Sequence, residues 1–194
     1  MQIKKIHTPL TEKKVRSLKA GDTVYLSGAI YTGRDAAHQR IIAALDRGEP
    51  LPFEIRNSVI YYVGPSPAKP GQVIGSAGPT TSGRMDDLTV PLLERGLRGM
   101  IGKGTRSQKV VDAMKEHCSV YFAAIGGAGA LIANAIKKAE GVAYEDLGPE
   151  AVTMLEVEDF PMIVVIDCEG TNLYETERKK YEKLDLDSLE ADFI

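Results

Sequence analysis

The chain has 194 residues, 43% of them hydrophobic and 26% charged, with a formal net charge of −3. That length supports one sizeable core or a domain with a tail, and the slight acidity argues against a nucleic-acid-binding protein, which would show a basic excess. Two cysteines, Cys118 and Cys168, are too few for a disulfide scaffold or for a four-iron cluster held by this chain alone.

The amino terminus, MQIKKIHTPL, lacks an apolar leader, and runs such as MIVVI at 162–166 are too short to span a bilayer, so a soluble cytoplasmic protein is expected. Residues 2–6 alternate as a strand, and Thr11 caps a short helical turn. TVYLSGAI at 23–30 reads as a strand. In the segment that follows, Ala37, Ile41, Ala44 and Leu45 recur at helical spacing, with Gly48 as the stop. VIYYV at 59–63 is a strand, and PSPAKPG at 65–71 is a rigid loop. A helix runs through Leu88 to Arg95 and ends at Gly96, and Ser107 caps the next one, SQKVVDAMKEHC. SVYFAAI at 119–125 is a buried strand that enters the GGAGA turn, and LIANAIKKAE is expected to be a helix ended by Gly141. AVTMLEV and PMIVVID read as two late strands. Residues 1–170 then form one domain, and the charged stretch 171–194 is a helical or extended tail. Strands alternating with helices give an α/β class with a parallel central sheet.

Glycine-rich turns invite a nucleotide-binding reading, which the spacing weakens. In AAIGGAGALIANAI the third glycine of a dinucleotide fingerprint is Ile132, and a phosphate loop ending at Gly102-Lys103 has Leu97 and Gly104 at its other required positions. More informative are three cations beside glycines at strand ends: Arg34 in TGRDAAH, Arg84 in SGRMD and Lys103 in IGKGT. Ligands of open α/β sheets bind outside the carboxyl ends of the strands, so these cations suit one small polyanion. The stretch GPTTSGRMD adds hydroxyls at Thr80, Thr81 and Ser82, which either cap a helix or meet a ligand. His38, four residues after Arg34, is a candidate acid, base or hydrogen-bond donor, or else a helix-surface residue. No metal-ligand spacing, serine-hydrolase elbow or histidine triad is present.

Taken in order, SGAIYTGRDAAHQR, YYVGPSPAKPGQVIGSAGPTTSGRMD, GMIGKG, the GGAGAL turn and DLGPEAV resemble the β subunit of class I fumarate hydratases and L(+)-tartrate dehydratases, a sequence that forms the C-terminal domain of single-chain iron–sulfur fumarases. The resemblance runs from about residue 10 to 170. It implies a swivelling β/β/α domain of three layers, with a parallel sheet and a second, antiparallel one. It also implies an α subunit that carries a 4Fe-4S cluster, an α2β2 assembly, and the reversible hydration of fumarate to (S)-malate. On that resemblance Thr80 matches the catalytic base, and Arg34, Arg84 and Lys103 match the substrate-carboxylate ligands. His38 and Thr81 stand as further candidates, and no metal is assigned to this chain.

Two substrates fit these residues, fumarate and L-tartrate, and nothing in the sequence separates them. A non-catalytic binding module for an anionic metabolite fits the three cation–glycine sites as well.

Overall fold

The computed structural model describes residues 3–124 and 129–181. The expected GGAGA turn falls mostly at 125–128, and much of the expected tail at 182–194, so both lie outside the described residues. The chain is an α/β domain built on a mixed sheet. Its strands are β1 (Ile3–His7), β2 (Thr23–Thr32), β3 (Val59–Tyr61), β4 (Gly99–Gly102), β5 (Val120–Ala124), β6 (Ile136–Ala143) and β7 (Val152–Ile166). The main helices are α1 (Glu12–Arg16), α2 (Asp35–Asp46), α3 (Asp86–Glu94), α4 (Gln108–Glu116), α5 (Gly129–Ala135) and α6 (Leu173–Tyr181).

Strands β1 to β5 pair in parallel in chain order. β7 runs antiparallel to β5, β6 and β2, so the hydrogen-bonded path returns from β5 through β7 to β2. The antiparallel half, expected as a separate sheet, is thus continuous with the parallel half. Alternation along the parallel strands feeds two cores. Val59, Tyr61, Ile101, Val120 and Phe122 enter one core with Leu26, Ile30, Phe160 and Met162 of β2 and β7. Ile60, Tyr62, Met100 and Tyr121 enter the other, under Ile41, Leu92, Leu93, Val110 and Met114 of α2, α3 and α4. Strands buried on both faces explain why VIYYV and SVYFAAI read as continuous apolar runs.

Two sequence expectations are corrected. The helix expected over LIANAIKKAE stops at Ala135, and Ile136–Ala143 pairs with β7 as a strand. The change occurs where Lys137 donates its Nζ–H to the Asn134 carbonyl, closing the helix end. Beyond it, Ile136 is buried while Lys137, Lys138 and Glu140 are exposed, a charged pattern suited to a sheet edge. Tertiary pairing overrides a good local helix pattern here. The two late strands are one strand, β7, which runs through Pro161. Pro161 is paired with Tyr25 of β2 on one side, and on the other it falls between the β6 pairing, which ends at Val157, and the β5 pairing, which starts at Met162, so its missing N–H breaks neither of these two ladders.

The stretch after Gly170 leads into α6, whose first residues, Leu173 and Tyr174, pack against the core that α2, α3 and α4 cover.

The parallel register sets the site. β2, β3 and β4 end side by side at Thr32, Tyr61 and Gly102, so Gly33-Arg34 and Lys103 leave the sheet at one rim.

Candidate functional site at the carboxyl rim of the parallel strands

The turn containing Thr80 is stitched into the rim as an extra rung. Pro79 bridges Val63 just beyond β3, and Thr81 bridges Lys103 just beyond β4. The Thr80 N–H donates to the Tyr62 carbonyl at 2.8 Å, the Lys103 N–H donates to the Thr80 carbonyl at 3.2 Å, and the Ser82 N–H donates to the Lys103 carbonyl at 2.9 Å. The backbone alone therefore fixes Lys103 beside Thr80. A 3-10 turn, Ser82–Met85, then leads into α3 and carries Arg84 back over Thr80. Arg84 Nη2 donates to Thr80 Oγ1 at 2.7 Å.

The hydroxyls of the turn do not cap the helix. Thr81 occupies the position before the 3-10 turn without a side-chain cap bond and is exposed. Ser82 is buried beside Tyr121. The Tyr121 hydroxyl lies 2.8 Å from Ser82 Oγ and 2.9 Å from the Gly104 carbonyl. It has one proton, which the carbonyl must receive, so the Ser82 hydroxyl donates to Tyr121. Burial raises the Tyr121 hydroxyl above the usual tyrosine range and keeps it a donor. Gly102 makes room for this contact, since a Cβ there would collide with Ser82 Oγ.

Under the rim lies a buried ion pair that the sequence reading did not identify. The Arg106 side chain is 0% exposed, and its Nε donates to Asp86 Oδ1 at 2.6 Å. Its Nη2 donates to Thr89 Oγ1 at 2.9 Å, and its guanidinium lies 5.3 Å from the ring centres of both Tyr62 and Tyr121. Asp86 Oδ2 accepts the Ser107 N–H at 2.5 Å. Burial opposes the Arg106 charge, but Tyr62 and Asp86 more than offset it, and the guanidinium holds its proton more tightly than usual. Asp86 follows Arg84 by two residues and Arg106 follows Lys103 by three, so this pair fastens the two cation-bearing segments together. Asp86 in the first turn of α3 carries a weak signal as a helix-start acid. Arg106 looks in sequence like one more loop cation.

Arg34 stands at the same rim, with Nη2 3.3 Å from Glu150 Oε1 and 3.7 Å from Asp35 Oδ2. Arg84 and Lys103 have no acidic partner among the described residues. His38 is fully buried, not a helix-surface residue. Its Nδ1 lies 2.9 Å from the Arg34 carbonyl, which can only accept, so Nδ1 carries a proton. Its Nε2 is buried without a hydrogen-bond partner. Burial holds the imidazole neutral, with its pKa lowered to about 4. His38 therefore supports the Arg34 backbone from below.

A cavity of about 530 Å³ lies nearby, between the 65–76 loop and α5, but it is lined by residues such as Lys69, Ile74 and Asn134 rather than by Thr80 or the three cations. The rim itself is open. The two thiols lie at the opposite end of the strands, Cys118 before β5 and Cys168 after the antiparallel β7, and both are buried. Among the described residues no cluster of three or more His, Cys, Asp or Glu could hold a metal ion. Among the described residues the rim offers no cysteine to an iron–sulfur cluster. No described helix is long and apolar enough to cross a membrane.

Comparisons with known proteins agree with the block-by-block resemblance. The family model described as "Fumarase C-terminus" matches residues 1–177. The chain is 44% identical over 182 residues to the "Putative L(+)-tartrate dehydratase subunit beta" of Methanocaldococcus jannaschii, covering 90% of this chain and 93% of that protein. It is 40% identical over 174 residues to the aerobic class I fumarate hydratase of Salmonella typhimurium, covering 88% of this chain but 30% of that enzyme. Fumarate hydratase 2 of Leishmania major is 43% identical over 157 residues, covering 79% of this chain and 28% of that enzyme. The chain thus spans about a third or less of these fumarate hydratases and nearly all of the archaeal subunit.

Two outcomes test this geometry. Asp86→Ala leaves the Arg106 charge buried and uncompensated and should cost about 3–5 kcal/mol in urea unfolding, whereas Arg84→Ala on the exposed turn should stay within about 0.5 kcal/mol. His38 takes up a proton more readily when unfolded (near 6.5) than when folded (about 4), so its contribution is complete above pH 6.5 and declines as pH falls toward 4. His38→Gln should flatten the pH–stability curve in that window by up to about 3 kcal/mol.

Proposed function

The chain belongs to the fumarase C-terminus family, and from that premise we propose that it is the β subunit of an iron–sulfur hydro-lyase that interconverts fumarate and (S)-malate. A separate α subunit carries the 4Fe-4S cluster, and the working assembly is α2β2 in the cytoplasm. The observation that carries the reading is the rim: a threonine hydroxyl bonded to Arg84 at 2.7 Å, with Lys103 pinned beside it through the backbone. The fold we propose is the swivelling three-layer domain, a reading supported by the two cores on either face of the parallel strands.

Malate loses a proton from one carbon and hydroxide from its neighbour to give fumarate and water. The transition state carries enediolate-like charge on a substrate carboxylate, which cations already aimed at it stabilise. Arg84 and Lys103 are such cations, and Arg34 binds the second carboxylate at the same rim. Arg84 has five N–H donors, so one serves Thr80 and others remain for a bidentate carboxylate. The charged N–H on Thr80 Oγ1 also stabilises negative charge on that oxygen, which a threonine needs to act as a base. Once its own proton has passed to solvent, the Thr80 oxygen takes the proton from carbon, and the electron pair left there forms the double bond as hydroxide departs. A cluster held by the partner subunit would supply the Lewis acid for that hydroxyl.

Exposed Arg84 and Lys103 at the rim, and exposed Val73 and Leu131 on the 65–76 loop and α5, support a partner that covers this face. L-tartrate is the second substrate to test, because the 44% identity to the archaeal subunit covers nearly the whole of both chains.

Co-expression with the cluster-bearing subunit and anaerobic reconstitution should yield a complex that turns over fumarate and malate, or L-tartrate. A reconstituted complex inert toward all of them, with this chain binding an anion unaided, would favour the binding module instead. In the active complex Thr80→Ala should lower kcat by about 10²- to 10⁴-fold with little change in substrate binding, and near-normal turnover would remove Thr80 as the base. Arg84→Lys should raise KM roughly tenfold or more, because an ammonium cannot reproduce a bidentate fork, and an unchanged KM would contradict the clamp.

A further inference from the structure

Arg34 differs from the other two rim cations in having a seat made by its own chain. Glu150 Oε1 lies 3.3 Å from Arg34 Nη2, while Glu150 Oε2 accepts the Ala36 N–H at 3.1 Å. Ala36 is the second residue of α2, so one carboxylate accepts an amide of the helix's first turn and forms an ion pair with the guanidinium. The wall of the seat is Gly64. A Cβ there would come within 2.7 Å of Arg34 Nη1 and 3.5 Å of the Pro149 carbonyl, so the guanidinium lies directly against the Gly64 backbone. The floor is His38, whose Nδ1–H reaches the Arg34 carbonyl.

A second carboxylate competes for the same guanidinium edge. Asp35 Oδ2 is 3.7 Å from Nη2 and is a buried atom with no hydrogen bond. Buried carboxylate oxygens without donors are costly, so Asp35 is an acceptor in waiting. Glu150, anchored on the helix amide, holds Nη2 at 3.3 Å, nearer to itself than to Asp35 at 3.7 Å.

From this geometry we infer that Glu150 is a positioning residue: it holds the Arg34 guanidinium across Gly64 and away from Asp35, in the place where it meets a substrate carboxylate. This rests on the reading of Arg34 as a carboxylate ligand. Removing the Glu150 charge lets Nη2 close the remaining distance to Asp35, and an arginine drawn there leaves the position from which it meets the ligand.

The test uses the assembled complex, with succinate as a non-reacting dicarboxylate followed by calorimetry and malate followed by turnover. Glu150→Gln should raise the succinate Kd and the malate KM roughly tenfold, with the larger effect on KM than on kcat. Adding Asp35→Asn should recover most of that loss, because the competing acceptor is then neutral. A purely structural role for Glu150 gives no such recovery. Gly64→Ala, which leaves both carboxylates in place, should raise KM in the same direction by displacing Nη1. The inference is overturned if Kd and KM stay within about twofold of wild type in Glu150→Gln, or if Asp35→Asn restores nothing. A wild-type complex that turns over neither malate nor tartrate, yet binds succinate in a Glu150-dependent way, overturns the hydro-lyase reading and leaves the Arg34 seat standing.

Discussion

The rim depends on a charge kept out of water. Arg106 is wholly buried, and its guanidinium is held by Asp86, Thr89 and the faces of Tyr62 and Tyr121. Desolvating a guanidinium costs several kcal/mol, recovered only when its geometry is good and its donors are occupied. The arrangement meets that condition and so admits little variation in how the two segments meet. One segment carries Thr80 and Arg84, the other Lys103, and the pair lies within three residues of each cation. The exposed rim groups thus borrow their order from an interaction beneath them.

That division of labour bears on how a flexible, hydrated lysine and an exposed arginine can serve a reaction. Their own side chains gain little from fixed geometry at the surface. Their backbones, however, are fixed by hydrogen bonds among Tyr62, Thr80, Ser82 and Lys103, and by the Tyr121 hydroxyl between Ser82 and Gly104. What remains is a set of donors facing open solvent, two of them without acids of their own among the described residues. A dicarboxylate and a second protein surface can complete such a rim at once. The relatives fit this picture, since the matched region is one part of a longer fumarate hydratase and nearly the whole of the archaeal subunit.

Much of this was legible in the chain because glycine and cation signals are local. Gly33-Arg34, Gly83-Arg84 and Lys103 between two glycines are visible without a structure, and parallel pairing of β2, β3 and β4 brings two of those strand ends to one rim. Thr80 and Arg84 are four residues apart, and a 3-10 turn rather than an α-helix brings them into contact. The illegible part is long-range. Nothing near Arg106 in sequence announces that Asp86 waits 20 positions away, and Glu150 is separated from Ala36 by 114. The misread helix at 136–140 failed for the same reason, because only the presence of β7 makes that stretch a strand. His38 was visible as a candidate, but burial decides its chemistry, and burial is a property of the whole fold.

The central claim is that Thr80, Arg84 and Lys103 form one receptor for a substrate carboxylate and the carbon beside it. A crystal structure of the assembled complex, grown without oxygen and with malate bound, tests it most directly. The account predicts one malate carboxylate in contact with Arg84 and Lys103, with the proton-bearing carbon within hydrogen-bonding reach of Thr80 Oγ1. Malate bound away from this rim, or seated with Thr80 turned from its reacting carbons, would contradict it.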